Sequence, residues 1–255
     1  MLCYNITFNL RFMMKFASVV GVGLALFGAA QIANAHGVWV AQRWDEYGII
    51  YGHGAEDNAY DPAKIKSVTV LTEDGKASEG KVEARDTHAM IVPGEDAAIV
   101  LIDFDNGFYT EGPDGKWVNQ PKSAVEGAKQ AGHYLKHSVS LLHIHGDIPA
   151  LPAQPLQIVP LSNPTELEAG DDFKVRVLYD GKPLPGVAII PDYVNLAETL
   201  IGETDQDGVA DITVRNDGLN VIAVKHSVSL ENNADADLIQ HFATLSFTAG
   251  GEHSH

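Results

Sequence analysis

The chain has 255 residues, with 17 Lys and Arg set against 34 Asp and Glu, for a formal net charge of −17. A field of that sign disfavours nucleic acid and anionic lipid as partners and attracts cations. The one cysteine, Cys3, gives no disulfide framework to build on. In chain order, the first predicted element is a secretory signal peptide over residues 1–35. Lys15 supplies the basic start, "FASVVGVGLALFGAA" the short apolar middle, and Ala33 and Ala35 the small residues of an A-x-A cleavage site. The run is too short to span a bilayer and no stop-transfer charges follow it, so no membrane insertion is expected after cleavage. Residues 1–12 read as an upstream extension, with Met13 or Met14 as the start. Cleavage after Ala35 would deliver the chain to the periplasm with His36 as its N-terminus. It would remove Cys3 together with Arg11 and Lys15, leaving 15 basic against 34 acidic residues.

The remainder reads as all-β. "SVTVLTEDGK" alternates and turns at Asp74-Gly75, and "AAIVLIDFDNG" is an apolar strand closed by Asn106-Gly107. "DFKVRVLYDGKPLPGVAIIPDYV" gives two strands around an Asp180-Gly181 turn, and "GETDQDGVADITV", "GLNVIAVKHSV" and "HFATLSFTA" continue the pattern. Short runs rich in Val, Ile, Thr and Tyr between Gly, Asp and Asn turns predict β-sandwiches. One helix is predicted over 123–142, "SAVEGAKQAGHYLKHSVSLL". Five prolines between Pro149 and Pro164 make a stiff segment suited to a domain junction. The expected division is therefore a β-rich domain over 36–153, a second β-sandwich over 154–249 and a disordered tail over 250–255; through "GKPLPGVAI", "TDQDGVADITV" and "GLNVIAV" the second resembles the immunoglobulin-like modules of bacterial surface proteins.

Imidazole and carboxylate are then the strong metal ligands available, a set suited to nickel, cobalt, copper(II) or zinc. An N-terminal His36 could chelate one ion through its amine and its ring together. His53 lies between two glycines at the end of the strand "YGIIYGHG", with Glu56 and Asp57 following. His143 and His145, two apart, would face the same way on a strand and present two imidazoles to one ion. His226, at the end of a strand, could reach the same place. The prediction is that His36, His53, His143 and His145 converge, with His226 as a fifth member. His88, His133, His137 and His241 are expected to be surface or packing residues, and His253 and His255 weak scavengers in the tail. The sequence contains no G-x-S-x-G, H-E-x-x-H, P-loop or Rossmann pattern, and no enzymatic activity is expected unless His36 forms a copper brace.

The stretches "AHGVWVAQRWDEYGIIYGHGAEDNAYDPAKI", "ALPAQPLQIVPLSNPTELEAGDDFKVRVLYDGKPLPGVA", "DQDGVADITVRNDGLNVIAVKH" and "FATLSF" resemble a family of exported bacterial proteins. These are described as periplasmic components of cobalt or nickel transport systems that carry a domain of unknown function. The resemblance implies a two-domain β protein that handles nickel or cobalt outside the inner membrane, and the leading expectation is that it captures the ion for an inner-membrane permease. It supplies no ligand set.

Overall fold

The computed structural model describes residues 36–250. The predicted signal peptide, its cleavage site and residues 251–255 of the tail lie outside the described residues. The described chain is all β apart from two single 3-10 turns, at Pro62–Lys64 and Lys122–Ala124. Its strands are β1 (Gly37–Arg43), β2 (Glu46–Gly52), β3 (Ile65–Leu71), β4 (Gly80–Ala84), β5 (Ala89–Pro93), β6 (Ile99–Glu111), β7 (Trp117–Val118) and β8 (Gln130–Leu141). They continue with β9 (Leu156–Pro160), β10 (Asp172–Tyr179), β11 (Lys182–Pro183), β12 (Ala188–Ile190), β13 (Ile201–Glu203), β14 (Val209–Thr213), β15 (Leu219–Ser229) and β16 (Leu238–Thr248).

These strands form three sheets. A large sheet runs β13-β12-β15-β16-β8-β6-β3, with β7 added to β6; a small sheet runs β1-β2-β5-β4; a third is built on β10 with β9, β11 and β14. Alternation along the strands of the large sheet sends side chains to both of its faces. On one face Ile99, Leu101, Val139, Val224 and Leu245 meet Leu156, Ile158, Val175 and Ile212 of the third sheet. On the other, Val100, Ile102 and Phe104 meet Val38, Val40, Ile49 and Tyr51 of the small sheet. The large sheet is thus the middle layer, and its central strands are buried on both sides.

That double burial explains where two expectations go wrong. The segment predicted as a helix over 123–142 is mostly strand β8, held between β6 and its parallel partner β16. A strand covered on both faces loses the period-2 signature, so Ala, Leu, Lys and His in succession resemble a helix. The division expected near residue 153 is crossed by the β8–β16 pairing, whose register runs from Leu238 opposite Gly132 to Phe247 opposite Leu141. Residues from both sides of it share one core, and the described residues fall in one compact unit. The turns fare better. Tyr179 pairs with Lys182 across Asp180 and Gly181, both with positive φ (48° and 72°), as a two-residue hairpin of this hand requires. Asn106-Gly107, however, does not close its strand: β6 runs on to Glu111 and the pair sits in a bulge, where the register shifts between Asp105 and Gly107.

Strand β1 stands edge-on to the large sheet. Val38 and Val40 enter one apolar cluster, while Trp39 and Ala41 enter another with Phe242, Ala223 and Tyr193. Its free edge is met by a row of hydroxyls on the large sheet. The Val40 N–H donates to Ser140 Oγ (3.2 Å), Thr244 Oγ1 donates to the Val38 carbonyl (2.5 Å), and Ser246 Oγ donates to the Val40 carbonyl (3.3 Å). A buried strand edge needs such partners, and an unmet group would cost about 1–3 kcal/mol. This docking fixes His36, the residue just before β1, against the middle layer.

Candidate metal centre

Register alone brings His36 and His53 together. Gly37 is paired with Gly52 at the end of the β1–β2 hairpin, so the residues just beyond each lie side by side. Their ring centroids are 6.3 Å apart. His36 stacks on Tyr51 at 4.9 Å, and Tyr51 stacks on Phe104 at 5.2 Å. Both glycines are required by close approach. A Cβ on Gly52 would lie 1.9 Å from the Glu56 carbonyl oxygen, and one on Gly37 would lie 3.0 Å from ring atoms of both Phe242 and Tyr193. The glycines therefore let the chain fold back on itself, rather than giving an ion access to the backbone.

The hydrogen bonds of His36 set its tautomer. Its Nε2 lies 2.9 Å from Asn58 Oδ1, which can only accept, so Nε2 carries the proton. The Asn58 N–H is itself held by the Tyr51 carbonyl at 2.7 Å. His36 Nδ1 is left with its lone pair, buried and without a hydrogen-bond partner. Burial lowers the His36 pKa below the ordinary imidazole value; the Asn58 bond opposes this and the charge of Lys136 adds to it. His53 Nε2 meets Glu198 at 2.9 Å, and its ring packs edge-on to Tyr193, whose hydroxyl donates to the Gly52 carbonyl at 3.0 Å. Such a carboxylate orients an imidazole. Of the acidic residues expected beside His53, Asp57 is engaged by Arg43. The orienting carboxylate comes instead from Glu198, far along the chain.

Lys136 lies within electrostatic reach of His36. It is fully buried, its Nζ has no hydrogen-bond partner, and it lies 5.3 Å from the Phe242 ring centroid and 5.8 Å from that of Tyr134. Burial, with a smaller push from Lys225, takes its pKa down to about 7.

The other predicted ligands lie elsewhere, which corrects the expectation of a single centre. His143 and His145 follow the end of β8 rather than lying on a strand, and they gather with Glu73. Among the described residues this is the one group of three or more His, Cys, Asp or Glu whose ligand atoms come within 4.8 Å of one another, and it contains neither His36 nor His53. His226 is paired across the β15–β16 ladder with His241, and both rings pack on Tyr179, at 4.6 and 5.5 Å. Asp147, two residues beyond His145, is not among the three.

His137 and His241, expected as surface or packing residues, are buried links in a polar chain. Asp103 meets His137 Nδ1 at 2.8 Å, and His137 Nε2 meets His241 Nδ1 at 3.0 Å. Burial works to raise the Asp103 pKa, but bonds from His137, Ser67 and Gln154 outweigh it and leave the value lowered. Burial first, then the neighbouring charges of His137 and His226, lowers His241 to about 4. Between pH 6.5 and 4 the unfolded chain therefore binds a proton at His241 that the folded chain refuses, and stability falls as pH drops through that window. Urea unfolding should show a loss of about 2–3 kcal/mol from this group, and His241→Gln should flatten that part of the pH profile.

These features define an all-β protein of three packed sheets, with a buried imidazole lone pair and a second imidazole at the mouth of its first hairpin. The chain belongs to the family described as Domain of unknown function (DUF4198), whose profile matches residues 33–228, a span that holds all five predicted histidines. A protein of Haemophilus influenzae described as uncharacterized is 28% identical over 221 residues, covering 86% of this chain and 92% of its own length. Among solved structures, the titin domains z1z2 in complex with telethonin match with 11% identity over 85% of this chain and 90% of theirs. The TM-score is 0.22, at which neither fold nor function is transferred.

Proposed function

We propose that the protein is a periplasmic binder of a divalent transition metal, nickel or cobalt first, that captures the ion at His36 and His53 for delivery to an inner-membrane permease. The observation that carries this reading is the buried Nδ1 of His36, which has no hydrogen-bond partner. Asn58 holds the proton on Nε2 and leaves Nδ1, the ring nitrogen nearest the backbone, with its lone pair. If the chain begins at His36, its amine and Nδ1 close a six-membered ring with one ion. His53, oriented by Glu198 and with its ring 6.3 Å from that of His36, would then add a third nitrogen donor. Nitrogen donors select a borderline ion over magnesium or calcium, and the acidic net charge raises the local cation concentration.

The same tautomer favours a second reading, a copper histidine brace. Copper(II) binds nitrogen sites more tightly than nickel or cobalt, so affinity alone would rank it first. The test is titration of nickel, cobalt and copper into the chain with its native N-terminus and into His36→Ala and His53→Ala. A tightly held ion, lost in His36→Ala and weakened in His53→Ala, supports a centre here. A tetragonal copper(II) spectrum with no competing nickel or cobalt uptake favours the brace. Equal binding by all three proteins favours a structural module with incidental histidines.

A further inference from the structure

We infer that Glu73, His143 and His145 form a second site for a divalent transition metal ion, separate from the His36 centre and open to solvent. The large sheet builds it. Leu71 at the end of β3 and Leu141 at the end of β8 both pair with Ile99, so the chain segments that follow emerge on either side of the start of β6. Ala98 ties them together: its N–H donates to the Leu71 carbonyl at 2.8 Å, and its carbonyl accepts from the Leu142 N–H at 2.8 Å. Between the two exposed histidines, Ile144 is buried, and its carbonyl accepts from Asn163 Nδ2 (2.8 Å) and Thr165 Oγ1 (3.2 Å). That anchor turns both rings outward on the same side, 4.5 Å between centroids.

The spacing suits a metal. Glu73 Oε1 lies 2.9 Å from His145 Nδ1. Two donors in adjacent positions on an ion, each bonded at about 2.1 Å, stand about 3 Å apart, so the ion can replace the proton they share. All three ligand atoms fall within 4.8 Å of one another, a two-imidazole, one-carboxylate set that leaves the other positions of the ion facing water. The depression they line also carries Asp74, Glu95 and Asp96, and its lysine, Lys76, is paired with Asp74 at 2.5 Å. The surroundings therefore favour a cation, and the exposure of all three ligands makes it exchangeable.

This site does not depend on the His36 reading, and one experiment separates them. Nickel is titrated into the chain with its native N-terminus, with His253→Ala and His255→Ala present in every sample to silence the tail. Two ions of unequal affinity are expected. His143→Ala/His145→Ala should lose the weaker ion alone, Glu73→Gln should weaken it at least tenfold, and His36→Ala should leave it in place. These side chains are exposed, and matching thermal melts check that folding is intact. Absence of any ion that the double variant removes, its persistence there as adventitious surface binding only, or indifference to Glu73→Gln overturns the inference. Loss of the weaker ion in the double variant with no effect of His36→Ala keeps this site and refutes the other.

Discussion

One residue added ahead of His36 is expected to weaken nickel or cobalt binding at the stronger site by about 100-fold, or about 2.7 kcal/mol. The extension converts the His36 amine into an amide, which offers no lone pair to the ion. Nδ1 stays in place, because Asn58 and the stack on Tyr51 hold the ring. The docking of β1 rests on Val38 and Val40, so the fold should be untouched. The loss would then measure the chelate alone, since one residue supplies two donors whose ordering is already fixed. Isothermal titration of the extended and native forms reads it directly. Equal affinities would remove the amine from the centre and leave His36 as a single imidazole.

Lys136→Met is expected to stabilise the protein, most strongly at neutral and acid pH. The lysine amine sits among Phe242, Tyr134 and the buried strands with no partner for its protons. Its folded pKa of about 7 lies well below the ordinary lysine value. Below pH 7 both states hold the proton, and the folded state bears the full cost of burying it. Between 7 and about 10.5 the unfolded chain keeps a proton that the folded chain has lost, so wild-type stability rises with pH. The advantage of the variant should be at most about 5 kcal/mol at pH 6 and should shrink towards pH 10. Methionine fills a similar volume without a charge, and such replacements of buried ions are often stabilising. Denaturant melts across that range check it, and a destabilised variant with a flat difference would show that the amine is not buried as a charge. The charge of Lys136 also reaches His36, where it opposes a second positive charge. The variant should also hold a cation more tightly.

The β class, most strand positions and the Asp180-Gly181 hairpin were legible because they rest on local patterning. His53 stood out by its glycine pair, and His143 and His145 by their H-x-H spacing. What joins them was not legible. His36 meets His53 through the register of one hairpin, but Glu198 reaches His53 and Glu73 reaches His145 across long separations that no spacing encodes. The chain from Asp103 through His137 to His241 likewise exists only because β6, β8 and β16 are neighbours in the middle layer. The same layer hid β8 itself. Its two covered faces erase the alternation by which a strand is recognised, and its partner β16 lies at the far end of the sequence.

Elemental analysis of the protein isolated from the cells that make it, after N-terminal sequencing and a wash with a competing chelator, tests the central claim most directly. Capture at His36 predicts a chain that begins at His36 and retains close to one nickel or cobalt ion per molecule. A chain with that same N-terminus and no stoichiometric metal, before or after nickel is supplied, would contradict it.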